Sequence, residues 1–167
     1  MLDLKSYIRD VADFPRRGIL FRDISPLLRQ KFSETIGALS ALLDADEWSQ
    51  VEAIAGVESR GFILASALAL RHGKGVVLVR KKGKLPPPVV ELPYGLEYGE
   101  GVLEMQPGTG RLLLVDDVLA TGGTLHATAA LAETAGYTVL HTIVLLDIKL
   151  DPAFRWDRPP VRAALHY

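Results

Sequence analysis

The sequence contains no cysteine, and its charges nearly cancel, with 19 Lys and Arg against 20 Asp and Glu in 167 residues. Without cysteine the chain can form no disulfide, thiolate nucleophile or cysteine-ligated zinc site. A formal net charge of −1 argues against a general binder of nucleic acid or of an anionic membrane, since such proteins are normally basic. No apolar run approaches the roughly 20 residues of a membrane-spanning helix, and the N-terminus lacks the apolar core of a secretory signal. We therefore expect a soluble, cytoplasmic protein whose partners include neither nucleic acid nor membrane.

The apolar residues instead form short segments that alternate between two kinds of pattern. The 49% hydrophobic fraction and the chain length favour one domain with its own core. Buried strands are predicted at residues 53–57, 75–79, 111–115 and 138–146. Helices are predicted at residues 2–11 (weakly), 31–44, 61–71 and 123–135, and an edge strand at 161–166. This alternation predicts an α/β, doubly wound domain with a mainly parallel sheet covered on both faces.

Residues 81–100 interrupt the alternation, because they are rich in lysine, proline and glycine. Loops longer than about 12–15 residues are uncommon in compact domains and are often functional lids. A surface hairpin is the alternative interpretation of this segment.

Two adjacent acids, Asp116 and Asp117, follow the apolar segment at 111–115, so we predict a buried strand that ends in two carboxylates. In an open α/β sheet, ligands bind beyond the carboxyl ends of the strands. Carboxylates repel phosphate but accept hydrogen bonds from neutral hydroxyls such as a ribose diol, and they also suit a magnesium shell.

A threonine- and glycine-rich loop comes next and opens the helix predicted at 123–135. The N-terminus of a helix offers N–H donors and a partial positive charge to a phosphate. Gly122 and Gly123 allow a close backbone approach, and Thr121 and Thr124 add hydroxyl donors. A phosphate loop beside diol-binding acids describes a ribose 5-phosphate site.

Residues 116–124, which read DDVLATGGT after four apolar residues, resemble the signature of the type I phosphoribosyltransferases. The stretch is neither a Walker A loop nor a GxGxxG dinucleotide fingerprint. Three further segments resemble the adenine-specific branch of that family, and they follow in the family's order: FPRRGILFRDISPLL at 14–28, GVESRGF at 56–62, and VRKKGKLP at 79–86 with LEYG at 96–99. The family fold implied is a single phosphoribosyltransferase domain over residues 1–167.

The resemblance implies how the base is bound. Residues 1–30 would form a hood over it, with Ile19, Phe21 and Arg22 lining an adenine pocket and Val118 approaching the other face of the ring. Phe21 provides an aromatic face on which a purine can stack.

The resemblance also implies a site for 5-phosphoribosyl 1-diphosphate. Ser59, Arg60 and Lys84 would bind its diphosphate, with a cis peptide near Glu58–Ser59. Arg80 or Lys81 would reach the site of a neighbouring subunit in a homodimer. The full implied set comprises Ser59, Arg60, Arg80, Lys81, Lys84, Tyr98, Asp116, Asp117, Ala120, Thr121, Gly122, Gly123 and Thr124.

The implied reaction joins adenine to the phosphoribosyl group, giving AMP and pyrophosphate. Glu97, on a mobile loop spanning 81–100, would act as general acid and base, and Asp116 and Asp117 would stabilise the positive charge that develops on the ribose. Magnesium would bind through the substrate, with no direct protein ligand assigned.

Three alternatives remain at this point. One is a phosphoribosyltransferase for hypoxanthine, guanine or xanthine, another is a non-catalytic regulator on the same fold, and the third is a plain ribose-phosphate-binding protein. The sequence also departs from the family's pattern, because Pro87 and Pro88 follow Lys-Leu-Pro where a glycine is typical, and residues 151–167 match less well.

Overall fold

The computed structural model describes the chain at residues 3–96, 99–148 and 156–167. These residues form two compact units, of which the first ends at Ala38 and the second begins at Leu39. The first unit is therefore longer than the hood predicted at 1–30. The single domain over 1–167, the hood and the mobile loop at 81–100 remain predictions. In the described residues, no helix has both the length and the apolarity needed to cross a membrane.

The first unit is built around a small antiparallel hairpin. After a 3-10 turn at Leu4–Tyr7, strand β1 (Arg9–Ala12) pairs with β2 (Leu20–Asp23). The weak helix predicted at 2–11 is wrong, because pairing with a distant strand overrides a local pattern that only marginally favours a helix.

Two short helices follow, α1 (Ser25–Gln30) and α2 (Phe32–Ser40). Helix α2 confirms the amphipathic helix predicted at 31–44, although it ends at Ser40.

The second unit is an α/β layer structure. Its helices are α3 (Ala45–Gln50), α4 (Arg60–His72) and α5 (Gly123–Thr134). Its strands are β3 (Ala53–Val57), β4 (Gly75–Lys81), β5 (Val90–Leu96), β6 (Gly99–Met105), β7 (Gly110–Leu119), β8 (Tyr137–Asp147) and β9 (Arg162–His166). They form one sheet in the order β5-β6-β4-β3-β7-β8-β9.

The sheet is parallel from β4 to β9 and antiparallel only where β6 joins β4 and β5. Consecutive residues of β3 show that both faces are covered. Ala55 packs in the cluster that contains the apolar residues of α5. Gly56 faces α4, since a Cβ there would lie 2.8 Å from the Cβ of Ala65. The predicted doubly wound, mainly parallel α/β fold is thus confirmed.

The core lies between the central strands and α5. Leu112 and Leu114 of β7 have no exposed surface and belong to the same cluster as Ala129 and Leu131 of α5. Shortening such a leucine to alanine typically costs about 2–5 kcal/mol. This packing fixes the strand ends on which the functional loops are built.

Strand β7 continues further than predicted, through Asp116 and Asp117 to Leu119. The two acids are therefore part of the strand rather than its end. The reason is pairing with β8, which continues to Leu119↔Asp147 and satisfies the backbone regardless of side-chain polarity.

The described part of the segment at 81–100 contains a hairpin, as the alternative interpretation expects, and its role as a mobile loop stays a prediction. A turn at 82–89 leads into β5, which pairs with β6 from Val90↔Met105 to Leu96↔Gly99. Strand β5 is the edge of the sheet, where Pro93 is tolerated because one side of an edge strand needs no ladder hydrogen bonds. At the opposite edge, β9 confirms the strand predicted at 161–166.

Candidate functional site

The site lies at the point in the sheet where the connections between successive strands reverse direction. The chain leaves β3 through α4 to reach β4 on one side, and leaves β7 through α5 to reach β8 on the other. Because β3 and β7 are parallel neighbours, their carboxyl ends meet and both helices begin there. Such a switch point is the usual ligand site of an open α/β sheet.

A cleft of about 410 Å³ opens at this point. It carries side chains of both charge signs, which suits a ligand that combines an anionic diphosphate with neutral hydroxyls. The lining residues are Glu58, Ser59, Arg60, Lys81, Tyr94, Asp116, Asp117 and Thr124. The structure thus brings together predicted residues from three separate segments.

The acid pair is buried, with 8% of Asp116 and 6% of Asp117 exposed. Arg60 Nη2 lies 2.7 Å from Asp117 Oδ2, and the Asp117 N–H donates to Asp116 Oδ1 at 2.8 Å. Burial, followed by the charge of Asp117, raises the pKa of Asp116 well above its ordinary value. Burial and the neighbouring acid therefore disfavour the charged form of Asp116, and hydroxyl donors from a ligand would stabilise its carboxylate.

A glycine allows α4 to approach the acids this closely. A Cβ at Gly61 would lie 2.9 Å from the Val115 carbonyl oxygen and 3.2 Å from Asp116 Oδ1. Any larger residue at the first turn of α4 would displace the strand end or the carboxylate.

The loop between β3 and α4 contains the cis peptide that the resemblance implies, at Glu58–Ser59. Ser59 occupies the N-cap position of α4, and its exposed side chain lines the cleft beside Arg60. Two of the three residues predicted to bind the diphosphate, Ser59 and Arg60, therefore lie at a helix N-terminus, where N–H groups favour anions.

A second, smaller cavity of about 110 Å³ lies against the first turn of α5. Gly122 adopts a left-handed backbone (φ 83°) and α5 begins at the next residue, so the first N–H groups of the helix have no acceptor within it. The space corresponds to a few water molecules at about 30 Å³ each, which is the scale of one phosphate group. Its lining comprises Asp116, Val118, Ala120, Thr121, Gly122, Thr124 and Leu125.

The cations at the end of β4 and in the turn after it have different surroundings. Lys81 lines the cleft. Arg80 instead contacts Glu58, with its Nε 3.2 Å from Glu58 Oε2, and its Nη1 lies 3.4 Å from the Lys84 carbonyl oxygen. Lys84 is exposed on the turn that follows. Arg80 therefore joins the end of β3 to the turn after β4. Lys81 lines the cleft, whereas Lys84 is not among the residues that line it.

Glu58 is a site residue that the sequence did not single out. Its carboxylate accepts the Lys81 N–H at 3.0 Å as well as the Arg80 contact. Burial alone would raise the pKa of Glu58, but the Lys81 N–H and Arg80 outweigh burial, and the pKa is lowered. Glu58 thus joins the end of β3 to the end of β4 as a charged group.

Tyr94 of β5 was also missed. It lines the cleft, as Thr124 does, and burial raises the pKa of its hydroxyl. Nothing in the local pattern at 90–96 marks this residue, because its position depends on how the hairpin folds back against α5.

The residues predicted to bind adenine are divided between the two units. In the first, Ile19 precedes β2, and Phe21 and Arg22 lie on it. The Phe21 ring stands edge-on to Phe14 at 5.1 Å, and Arg22 pairs with Asp10. Val118 lies on β7 in the second unit, against the smaller cavity. Glu97 and Tyr98 lie outside the described residues.

The comparisons with known proteins agree with this geometry. The family model of the phosphoribosyl transferase domain matches residues 25–163. The chain is 50% identical to the adenine phosphoribosyltransferase of Hydrogenovibrio crunogenus, over 98% of this chain and 96% of that protein. It is 46% identical to the adenine phosphoribosyltransferase of Bdellovibrio bacteriovorus, over 99% and 100%.

Solved structures are similar over the same extent. The adenine phosphoribosyltransferase of Thermoanaerobacter pseudethanolicus superposes with a TM-score of 0.89 at 38% identity, covering 98% of each chain. The Saccharomyces cerevisiae enzyme, solved with an imino-altritol bisphosphate and adenine, gives 0.88 at 33% identity, over 97% of this chain and 96% of that one. The cleft at the switch point, the cavity at the N-terminus of α5 and the sequence matches agree. The chain belongs to the phosphoribosyltransferase family.

Proposed function

We propose that this protein transfers the 5-phosphoribosyl group from 5-phosphoribosyl 1-diphosphate to adenine, giving AMP and pyrophosphate. The observation that carries the proposal is the junction of the buried acid pair, Asp116 and Asp117, with the cavity at the first turn of α5. Adenine is the base favoured, because the relatives named above, which are similar over nearly the whole chain, are adenine phosphoribosyltransferases.

The cleft and the smaller cavity accommodate different parts of the donor. The first turn of α5, with Thr121 and Thr124, binds the 5-phosphate. Asp116 and Asp117 accept hydrogen bonds from the ribose hydroxyls, and their negative charge stabilises the ring as the bond at the anomeric carbon breaks. The ribose is therefore held in place while that carbon moves toward the base.

The departing diphosphate lies on the cationic side of the cleft, near Ser59, Arg60, Lys81 and Lys84. Asp117 pairs with Arg60 at 2.7 Å. A bound diphosphate competes for that guanidinium, so the binding of the donor and the freeing of Asp117 for the ribose are coupled.

Magnesium fits this site as a companion of the donor. In the parts of the chain that the structure describes, no group of three or more histidine or acidic side chains could hold a metal ion. The two adjacent acids, Asp116 and Asp117, nevertheless suit a cation held by the diphosphate and ribose oxygens. When bound, magnesium neutralises charge on the leaving group.

Glu97 is proposed as the group that moves the purine proton, with Tyr98 beside it. In the sequence both residues lie between β5 and β6. A hairpin that closes over the cleft excludes water, which would otherwise hydrolyse a reacting ribose cation.

A homodimer in the cytoplasm is part of the same proposal. Helix α4 and the β4 face on which it packs carry exposed apolar side chains: Ile63 (45%), Leu70 (86%), Val76 (40%) and Leu78 (39%). Exposed apolar patches are typical of protein interfaces. Sedimentation analysis tests this directly, and Leu70→Glu should shift the protein toward monomer.

The experiment that tests the function offers one base at a time. Purified protein with magnesium and the donor is incubated with adenine, hypoxanthine, guanine or xanthine, and nucleotide is measured. We expect AMP from adenine and little product from the 6-oxopurines. Product from a 6-oxopurine alone would contradict the adenine assignment. Tight binding of the donor without product from any base would indicate a regulator.

A further inference from the structure

Glu104 of β6 is an almost completely buried acid that the proposed chemistry does not use. Its exposed fraction is 1%. Its Oε2 accepts the Gly83 N–H at 3.0 Å, and its Oε1 accepts the N–H groups of Lys84 and Leu85, each at 2.6 Å. One carboxylate therefore holds three consecutive backbone donors of the turn between β4 and β5.

The turn has the backbone geometry of an anion-binding site, but the anion that it binds is the carboxylate of Glu104. Gly83 has a left-handed backbone with φ 83°, and consecutive N–H groups in such turns form a concave anion-binding arrangement. The hydrogen bonds from Gly83, and then those from Leu85 and Lys84, hold the pKa of Glu104 below its ordinary value. Glu104 therefore stays ionised at neutral pH.

The turn is also held from the side of the cleft. Arg80, whose β-ladder partner is Glu104, has its Nη1 3.4 Å from the Lys84 carbonyl oxygen and its Nε on the Glu58 carboxylate. Both backbone polar groups of Lys84 are thus tied, one to Glu104 and one to Arg80. Through Arg80 the same contacts reach Glu58, which lines the cleft.

The fixed backbone matters for the ammonium that Lys84 carries. Its side chain is a long flexible stem, so placing the ammonium costs entropy in both the stem and the backbone. Fixing the backbone in advance reduces what remains to be ordered when an anion binds. The turn is therefore suited to holding an ammonium in place for a ligand.

We propose that Glu104 is a positioning residue, which fixes the turn so that the Lys84 ammonium is held for the diphosphate of the donor. The inference rests on the proposed function, in which Lys84 binds that diphosphate. It assigns Glu104 no contact with substrate. Its effect is transmitted entirely through the backbone of residues 83–85.

The main test is Glu104→Gln, which keeps the side-chain size but replaces one acceptor oxygen with an NH2 group. That group cannot accept a backbone N–H, so the turn loses part of its anchor. We expect the KM for the donor to rise about tenfold, the cost of a slightly misplaced binding group. The KM for adenine and kcat should not change, because the loss is one of donor binding.

The matched control is Glu91→Gln. Glu91 is the β5 partner of Glu104 in the hairpin, but it pairs at the surface with Lys82 Nζ at 2.8 Å. Its substitution removes the same charge from the same ladder position and leaves the turn anchored. We expect the KM for the donor to match that of the wild type.

A double-mutant cycle with Lys84→Met separates positioning from a general structural role. If Glu104 acts through Lys84, Glu104→Gln adds nothing to the KM of the Lys84→Met protein. An unchanged KM for the donor in Glu104→Gln overturns the proposal, as does a rise of equal size with and without Lys84.

Gly83→Ala provides a test that leaves the buried acid intact, should Glu104→Gln not fold. A Cβ at Gly83 would meet no described atom within 4 Å, so the substitution disturbs only the left-handed backbone. We expect the same rise in the KM for the donor, and an unchanged KM overturns the proposal.

All variants are also titrated with magnesium pyrophosphate by calorimetry. If wild-type protein forms no AMP, the proposed function fails, and the positioning role is judged on pyrophosphate affinity alone. Weaker binding in Glu104→Gln and Gly83→Ala, but not in Glu91→Gln, supports it. Equal affinity in all of these proteins contradicts it.

Discussion

Two regions of the second unit place acids against arginine in opposite ways. At the N-terminus of α3, Glu47 meets Arg162 through two hydrogen bonds of 2.6 and 2.8 Å, and Arg162 Nη1 also donates to the Leu42 carbonyl oxygen at 2.7 Å. Within β7, two adjacent acids, Asp116 and Asp117, lie beside Arg60. The first arrangement is a balanced pair of one acid and one arginine, and the second is an unbalanced set of two adjacent acids beside one arginine.

The pKa values of the two regions differ accordingly. The hydrogen bond from Arg162 and that from the Asp44 N–H lower the pKa of Glu47 to about 2. Burial and the charge of Asp117 raise the pKa of Asp116. A balanced pair stabilises the folded state, whereas an unbalanced one opposes it unless a ligand supplies donors. The difference indicates which of the two regions exists for binding.

The largest expected effect is that of Asp117→Asn on turnover. In the proposed function the Asp117 charge faces the reacting ribose, so its removal should lower kcat/KM by about 10²–10³, the range seen when a single electrostatic group is lost from an active site. The melting temperature should hardly fall, because the substitution removes one of two adjacent acids. Steady-state kinetics and calorimetry measure both, and a large loss of stability would contradict the comparison.

Gly61→Ala should affect both stability and activity. The new Cβ would crowd the Val115 carbonyl oxygen and the Asp116 carboxylate, and such overpacking costs about 1–3 kcal/mol. Denaturant unfolding and kinetics check this. A matched substitution, Gly37→Ala, meets no described atom within 4 Å and should leave activity unchanged.

A smaller effect is expected from Glu47→Gln, which should cost about 1–2 kcal/mol of unfolding free energy near pH 7, after allowance for partial exposure. Glu47 has a lowered pKa in the folded state, so its contribution is present above its unfolded pKa of about 4.5 and is lost as the pH falls toward about 2. The stability difference between variant and wild type should therefore shrink over that window. A constant difference would show that charge is not its cause.

The smallest effect concerns His72, which stacks on Trp48 at 3.5 Å and hydrogen-bonds with Ser40 at 2.8 Å. Burial, and then the charges of Arg71 and Lys74, lower the pKa of His72. The unfolded state therefore binds the proton more readily, and stability falls as the pH drops below about 6.5. His72→Phe keeps the stacked ring and should remove this part of the pH dependence. Denaturant unfolding at several pH values measures it.

The alternation of strands and helices, and the position of the acids beside the phosphate loop, could be predicted from sequence because both are local patterns. Residues 53–57 were predicted as the strand that the structure shows. The hairpin of β1 and β2 could not, since its pairing joins Arg9 to Asp23 across a turn that periodicity does not reveal.

Contacts between side chains of different strands could not be predicted from the sequence either. The extension of β7 through the acids depends on β8, and Glu58 and Tyr94 reach the cleft only through the fold. Glu104 did leave a signal, because an acid in the apolar run Val-Leu-Glu-Met at 102–105 needs a buried partner. Nothing in the run identifies that partner as the backbone of residues 83–85.

One paired measurement tests the central claim that the unbalanced acids serve the ligand and the balanced pair serves the fold. Asp117→Asn and Glu47→Gln are compared with wild type for unfolding free energy and for affinity toward the magnesium complex of 5-phosphoribosyl 1-diphosphate. We predict that Asp117→Asn loses affinity and keeps its stability, and that Glu47→Gln loses stability and keeps its affinity. If Asp117→Asn binds the donor as well as wild type does, or if Glu47→Gln weakens binding equally, the account is contradicted.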